Sequence, residues 1–238
     1  MRQLALDIGL SPAPEFDTFI ALGNEAVINE LVGLQPGSAP VYLWGPSGCG
    51  KTHLLRALQA RAQRCGQSVQ WLDARSPSAA HLEPIRASAS PPAEGAGVGG
   101  WLLMDQAEGW SAAQQHAAFV EFVRATGQGA CVVAAGRLPP VDLPIREDIR
   151  TRLGWGLVLS LWPLGESTLR QALQDEARRR GLRLGDEVLD YALKRLARDL
   201  KSLTGLLDRL DRYALQWQRP LTVLLLRQML DEEQIPPP

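Results

Sequence analysis

Five short apolar runs, rich in branched residues, occur in the first two thirds of the chain. They are PVYLW (40–44), SVQWLD (68–73), WLLMD (101–105), ACVVAA (130–135) and LVLSL (157–161). Apolar and polar residues do not alternate regularly within them, which is typical of strands buried on both faces. Because a pattern of helical periodicity follows each run, we predict an α/β domain with a five-stranded parallel sheet between helices.

After residue 163 the pattern becomes helical only. Apolar residues recur at helical spacing in four stretches, which glycines and a proline separate: 166–180, 186–197, 199–216 and 222–233. We therefore predict an α/β domain over 10–163 and a small all-helical domain over 164–238. The segment RASASPPAEGAGVGG (86–100) is rich in Pro, Gly, Ser and Ala, and it is predicted to be a surface loop.

Composition narrows the class of protein. With 238 residues, 45% hydrophobic, the chain can bury one core, or one domain core plus a small second one. A net charge of −1 provides no field that would draw the whole molecule onto nucleic acid or an anionic membrane, so any DNA contact should be weak, local or indirect. Three cysteines without CxxC or Cys/His spacing, and no long apolar run, favour a cytoplasmic protein without a membrane segment.

GPSGCGKT, directly after the first predicted strand, matches the phosphate-binding pattern G-x-x-x-x-G-K-S/T. Glycines let backbone amides turn toward phosphate oxygens, the lysine reaches the β- and γ-phosphates, and the threonine hydroxyl ligates Mg²⁺. A chance glycine-rich turn would lack the strand before and the helix after. The predicted nucleotide-binding residues here are Gly45, Pro46, Ser47, Gly48, Cys49, Gly50, Lys51 and Thr52.

WLLMD supplies a second element of this site. Its Asp105 ends a strand and is predicted to hold Mg²⁺ through a water, although a strand-end aspartate can also be purely structural. The next residue is Gln106, where many such ATPases carry the acid that orients the attacking water. Because an amide cannot act as a base, hydrolysis without assistance should be slow, unless the nearby Glu108 substitutes.

Three longer stretches resemble the DnaA/Hda family of AAA+ proteins. They are EFDTFIALGNEAVINEL (15–31), GRLPPVDLPIREDIRTRLGWGLVLSLWPL (136–164) and ARDLKSLTGLLDRLDRYAL (197–215). The resemblance covers nearly the whole chain. It implies an AAA+ P-loop NTPase fold with a C-terminal helical lid, bound ADP or ATP with Mg²⁺, and DnaA as a partner. The chain ends at IPPP after the lid, so we expect no helix-turn-helix domain for origin DNA.

The resemblance also assigns roles to single residues. TRLGWG matches the box VII element, which makes Arg152 the arginine finger that acts on a neighbouring subunit's nucleotide, with Arg150 as an alternative. Arg198 matches the sensor 2 arginine, which reaches the bound phosphates from the lid. Either arginine could instead be a solvated surface residue. Ala134 and Ala135 fill the end of the fourth strand, where sensor 1 carries a polar side chain, so that contact should be absent.

The N-terminal peptide RQLALDI (2–8) resembles the sliding-clamp-binding peptide of regulatory family members. That resemblance implies docking on the DNA polymerase III beta sliding clamp by a segment spanning 1–9, through Gln3, Leu4, Leu6 and Ile8. An extended peptide with spaced apolar side chains suits a groove on a partner. An edge strand or a frayed terminus is the alternative interpretation.

Three hypotheses of function follow. The first is a negative regulator of replication initiation that docks on the DNA-loaded clamp and promotes hydrolysis of ATP bound to DnaA; it could also form homo-oligomers. The second is a self-contained ATPase or helicase-loading factor similar to DnaC, which Gln106 and the two alanines disfavour. The third is a DNA-binding accessory protein, which interleaved acids and bases in the helical domain disfavour.

Overall fold

A computed structural model gives the fold of the chain. The structure describes residues 14–74, 99–182, 184–195, 200–217 and 221–233. They form two compact units that divide between Pro163 and Leu164. The N-terminal peptide over 1–9 and most of the 86–100 segment lie outside the described residues.

The first unit contains one parallel sheet. Its strands are β1 (Val41–Trp44), β2 (Val69–Leu72), β3 (Trp101–Met104), β4 (Cys131–Gly136) and β5 (Leu157–Ser160). The strand order is β2-β3-β4-β1-β5, and every neighbouring pair is parallel. The prediction of a five-stranded parallel sheet is confirmed, with β4 ending one residue later than predicted.

Helices cover both faces of this sheet. They are α1 (Glu25–Gly33), α2 (Lys51–Arg64), α3 (Ala112–Gly127) and α4 (Glu147–Leu153), with short 3₁₀ turns at Phe16–Thr18, Ala107–Gly109 and Pro140–Asp142. One hydrophobic cluster joins Tyr42 and Leu102 to Phe122 of α3 and Ile149 of α4. A second cluster joins alternate strand residues, including Leu43, to α1 and α2. Because both faces of the central strands are buried, their sequences lack a polar alternation.

In its described residues, the second unit contains four helices around its own core. They are α5 (Glu166–Arg179), α6 (Asp186–Arg195), α7 (Leu200–Trp217) and α8 (Val223–Glu233). Leucines at helical spacing, such as Leu169 and Leu173 of α5, pack against the other three helices in a single cluster. Each helix begins within one residue of the predicted start. Gly181, with a φ of +73°, follows α5 and permits the sharp turn there.

Within the described parts of the chain, no helix has the length and apolar character needed to cross a membrane.

A buried amide joins two distant segments of the first unit. Asn24 is only 2% exposed and immediately precedes α1, yet its side chain does not cap that helix. Its Nδ2 donates to the Trp162 carbonyl at 3.0 Å, and its Oδ1 accepts from the Trp162 amide at 2.9 Å. The side chain therefore satisfies both backbone groups of a residue 138 positions away, just beyond β5.

We expect Asn24→Ala to lower the free energy of unfolding by about 1–3 kcal/mol, because it leaves the Trp162 amide and carbonyl without their partners at a part-buried position. Urea unfolding followed by circular dichroism measures this. Asn24→Asp should also destabilise, since it replaces a donor with a carboxylate oxygen opposite the Trp162 carbonyl. Glu30→Ala, an exposed position on α1, is the matched control and should change stability by less than about 0.5 kcal/mol. Equal stability of the Asn24→Ala and Glu30→Ala proteins would contradict this role.

Candidate functional site

The loop between β1 and α2 has a conformation that favours glycine at three positions. Gly45 has a φ of +156°, Gly48 a φ of +81° and Gly50 a φ of +99°. A Cβ at Gly45 would overlap the Leu161 carbonyl oxygen, and one at Gly50 would meet the Phe19 ring 3.2 Å away at Cζ and closer still at Cε2. The glycines of the motif thus permit both the backbone turns and the close approach of two neighbouring segments.

Lys51 begins α2 and folds back over this loop. Its Nζ donates to the Gly45 carbonyl at 2.6 Å and to the Pro46 carbonyl at 2.8 Å, and it lies 3.5 Å from Cys49 Sγ. The ammonium charge is therefore held beside the loop, next to the N-terminal end of a 14-residue helix. Lysine, loop amides and helix N-terminus together have the chemistry that binds a phosphate chain.

Two side chains with oxygen atoms that can ligate a metal, one from α2 and one from the end of β3, meet beside Lys51. Thr52 Oγ1 donates to Asp105 Oδ2 at 2.6 Å, and Asp105 Oδ1 accepts from the Gln106 amide at 2.9 Å. Burial raises the pKa of Asp105, which is 2% exposed, while the hydrogen bond from Thr52 opposes that rise. The backbone carbonyl of Asp105 accepts a hydrogen bond from the Trp110 indole Nε1 at 2.9 Å.

This pair of oxygens fits Mg²⁺, which prefers one or two protein oxygens and completes its shell with phosphate and water. Among the described residues there is no cluster of three or more His, Cys, Asp or Glu side chains that could hold a metal by itself. Thr52 and Asp105 could therefore hold Mg²⁺ together with the phosphates of a nucleotide.

The residues that follow Asp105 offer no free carboxylate. Gln106 has a φ of +55°, and it is the one described residue other than glycine with a positive φ. Glu108 is engaged: its Oε2 accepts from the Arg137 amide and its Oε1 pairs with Arg137 Nε, both at 3.0 Å. Glu108 thus ties the turn after β3 to the end of β4.

The end of β4 carries no polar side chain. Ala134 and Ala135 are fully buried, and the strand continues to Gly136. A Cβ at Gly136 would overlap the Tyr42 hydroxyl and lie 3.3 Å from Glu108 Oε2, so the space of a larger side chain is filled. The Tyr42 hydroxyl donates to the Leu138 carbonyl at 2.9 Å; burial, with a smaller contribution from Glu108, raises its pKa.

Sequence reasoning missed the contacts of the segment before α1. His53 of α2 has its Nε2 3.0 Å from the Glu15 carbonyl oxygen and 3.3 Å from Thr18 Oγ1. Its ring also contacts that of Phe19, with 5.7 Å between centroids. His53 therefore holds this segment beside the phosphate-binding loop. The family-like EFDTF sequence indicated the segment but not this partner.

Arg152 lies in the last turn of α4, as does Arg150. Its guanidinium carbon is 4.8 Å from the centroid of the Trp155 ring. In the part of the chain that the structure describes, neither arginine is within ion-pairing distance of a carboxylate. Arg198 lies outside the described residues, as do Gln3, Leu4, Leu6 and Ile8.

Comparison with known families covers both units. The family model described as the bacterial DnaA ATPase domain matches residues 10–160, and the one described as the Hda lid domain matches residues 166–230. The two matches leave only short terminal and connecting segments uncovered.

Solved structures with the same fold include the replication initiation protein DnaA and the branch migration motor RuvB. Domain III of the replication initiation protein DnaA of Thermotoga maritima has a TM-score of 0.71 at 20% identity, and the match covers 96% of this chain and 100% of that one. AMPPCP-bound DnaA from Aquifex aeolicus has a TM-score of 0.61 at 20% identity, covering 94% and 71%. The RuvB Holliday junction branch migration motor of Thermotoga maritima has a TM-score of 0.61 at 16% identity, covering 88% and 69%. The predicted AAA+ fold with a helical second unit is confirmed.

Proposed function

We propose, since the chain belongs to the DnaA/Hda family of AAA+ proteins, that it is a nucleotide-bound negative regulator of replication initiation that promotes hydrolysis of the ATP held by DnaA. The observation that carries this proposal is the contrast between two sites. In the chain's own nucleotide site, the turn after Asp105 offers no free acid. By contrast, Arg152 lies in the last turn of α4 without a carboxylate partner among the described residues.

The chain's own site would hold ADP or ATP with Mg²⁺. The loop from Gly45 to Thr52 would bind the phosphates, Lys51 would balance their charge, and Thr52 with Asp105 would hold the metal. Arg198 is the proposed contact from the lid. The bound nucleotide supplies phosphate oxygens that complete the Mg²⁺ shell.

Turnover in this site would be slow. Gln106 cannot accept a proton from water, and the carboxylate of Glu108 is already bound to Arg137. The end of β4 offers only Ala134, Ala135 and Gly136. This arrangement supports a regulator over a self-contained ATPase or helicase-loading motor.

Arg152 would act in trans on DnaA. In that reaction a water oxygen bonds to the γ-phosphorus of ATP while the bond to the β–γ bridging oxygen breaks, giving ADP and phosphate. A guanidinium beside the γ-phosphoryl group neutralises the charge that spreads over its oxygens, and such arginines accelerate hydrolysis by about 10³–10⁵ in other NTPases. DnaA would thereby pass from its ATP form to its ADP form.

The N-terminal peptide would localise this activity to replicated DNA. Gln3, Leu4, Leu6 and Ile8 are proposed to dock in a groove of the DNA polymerase III beta sliding clamp, with side chains at alternate positions filling separate pockets. Linking the peptide to the AAA+ unit would raise its effective concentration near DnaA on the same DNA.

Clamp dependence tests this proposal. Hydrolysis of DnaA-bound ATP is measured with the full chain in the presence and absence of clamp loaded on DNA. We expect stimulation only with the clamp, and we expect the Gln3→Ala, Leu4→Ala double variant to lose clamp binding and stimulation together. The matched control is Arg2→Ala, Asp7→Ala, which leaves the proposed docking side chains in place and should retain both. Equal hydrolysis with and without the clamp would refute the docking role.

A further inference from the structure

Two residues beyond the end of α4, the fold leaves an indole in solvent. Trp155 is 68% exposed, so burial of its ring does not explain a tryptophan at this position. Glycines flank it on both sides in the sequence LGWG. A large rigid ring on an exposed turn therefore indicates that the ring contacts another group.

The backbone on both sides of Trp155 is fixed. Gly154 ends α4 and its amide donates to the Arg150 carbonyl at 3.1 Å, while the Trp155 amide donates to the Arg152 carbonyl at 3.2 Å. On the other side, a Cβ at Gly156 would overlap the Pro40 carbonyl oxygen. Gly156 therefore permits close approach to the start of β1.

The strand continues directly from this point. The Leu157 amide donates to the Pro40 carbonyl at 2.9 Å, and β5 then pairs along β1. Trp155 is thus held between the end of a helix and the first residue of a sheet strand. Its exposure arises from an ordered turn with bonded backbone on both sides.

The indole of Trp155 contacts Arg152. The guanidinium carbon lies 4.8 Å from the ring centroid, within the range of a cation–π contact. No carboxylate among the described residues competes for the guanidinium. A flexible arginine side chain has many rotamers, and contact with an aromatic ring on a hydrogen-bonded turn reduces the number that it samples.

We propose that Trp155 is a positioning residue that holds the Arg152 guanidinium in the orientation used on the ATP of the partner, an inference that rests on the proposed function. The ring keeps the cation at the end of α4 without neutralising it, as an acid would. The charge therefore stays available for the γ-phosphoryl group, and less side-chain entropy is lost when the two proteins meet.

The test measures hydrolysis of DnaA-bound ATP as a function of the concentration of the full chain, with clamp on DNA. The variants are Trp155→Leu, Trp155→Phe and Arg152→Ala, each alone, and Trp155→Leu in the Arg152→Ala background. Trp162→Leu is the matched control, because Trp162 is 66% exposed in the same unit and no described arginine stacks on it. Thermal unfolding and nucleotide binding of each variant report on folding.

Trp155→Leu is expected to lower the maximal rate about 3- to 30-fold, the range of a cation–π contact, without raising the half-saturating concentration. Trp155→Phe, which retains an aromatic face, should recover most of the rate, and Trp155→Leu should have no further effect once Arg152 is alanine. A rise in half-saturating concentration alone would identify Trp155 as a docking residue and overturn the inference. So would an unchanged rate, or an equal loss of rate with Trp155→Phe and Trp155→Leu. If the Arg152→Ala protein stimulates hydrolysis of DnaA-bound ATP as well as wild type does, the proposed function itself is wrong, and not only the role of Trp155.

Discussion

Arg152→Ala is expected to reduce the stimulated hydrolysis of DnaA-bound ATP by about 10³-fold or more, to the rate of DnaA alone. The reason is electrostatic: as the bond to the leaving ADP breaks, negative charge spreads over the γ-phosphoryl oxygens, and a guanidinium is the group that neutralises it. Since the exposed Trp155 ring is the contact of the Arg152 guanidinium within the described part of the chain, the substitution should leave the fold intact. Single-turnover hydrolysis at saturating protein measures the effect.

Two further variants identify which feature of the side chain matters. Arg150→Ala removes a cation from the same turn of α4 and should leave the rate close to wild type, which assigns the role to Arg152. Arg152→Lys keeps the charge but not the planar pair of donors, so it should restore only part of the rate. A loss with Arg150→Ala and none with Arg152→Ala would transfer the finger to position 150.

Lys51→Ala is expected to weaken binding of ADP and ATP by at least about 100-fold, since it removes charge-assisted hydrogen bonds worth about 3 kcal/mol or more together. The Nζ group now lies against the Gly45 and Pro46 carbonyls, at the mouth of the loop where phosphate would bind. Titration with a fluorescent nucleotide analogue in the presence of Mg²⁺ measures the dissociation constant.

The control for Lys51 is another cation of α2. Arg56 is exposed, donates to Gln59, and has its guanidinium carbon 3.8 Å from the centroid of the Trp71 ring. Neither of these contacts involves the phosphate-binding loop. Arg56→Ala removes the same charge from the helix and should change affinity by less than about threefold. Equal affinities for wild type and Lys51→Ala would exclude the loop as the nucleotide site.

Much of the fold follows from local sequence patterns. Runs without polar alternation predicted the central strands β1, β3 and β4, which are buried because helices lie on both faces of the sheet. The expectation of burial on both faces is wrong for the edge strand β5, where Leu157 and Val158 are exposed. The break at Gly181 predicted the end of α5. The phosphate-binding loop could be predicted because its backbone turns demand glycine at fixed spacing. These features depend on neighbours in sequence.

Contacts between distant segments could not be predicted in this way. Nothing near Asn24 indicates that its amide pairs with the Trp162 backbone, and nothing near Glu108 indicates that Arg137 occupies its carboxylate. The exposure of Trp155 is equally hidden, because an aromatic residue after a helix is more often buried. Such contacts depend on which segments the sheet brings together.

The most direct test of the central claim asks whose nucleotide is hydrolysed. DnaA is loaded with labelled ATP, and this protein with unlabelled ADP; both are mixed with clamp on DNA, and the labelled product is followed over a single turnover. In a second reaction this protein is loaded with labelled ATP, and DnaA with unlabelled ATP. The account predicts rapid conversion of the label on DnaA, dependent on Arg152, and little conversion of the label on this chain. Rapid hydrolysis of its own ATP, with no change on DnaA, would contradict it.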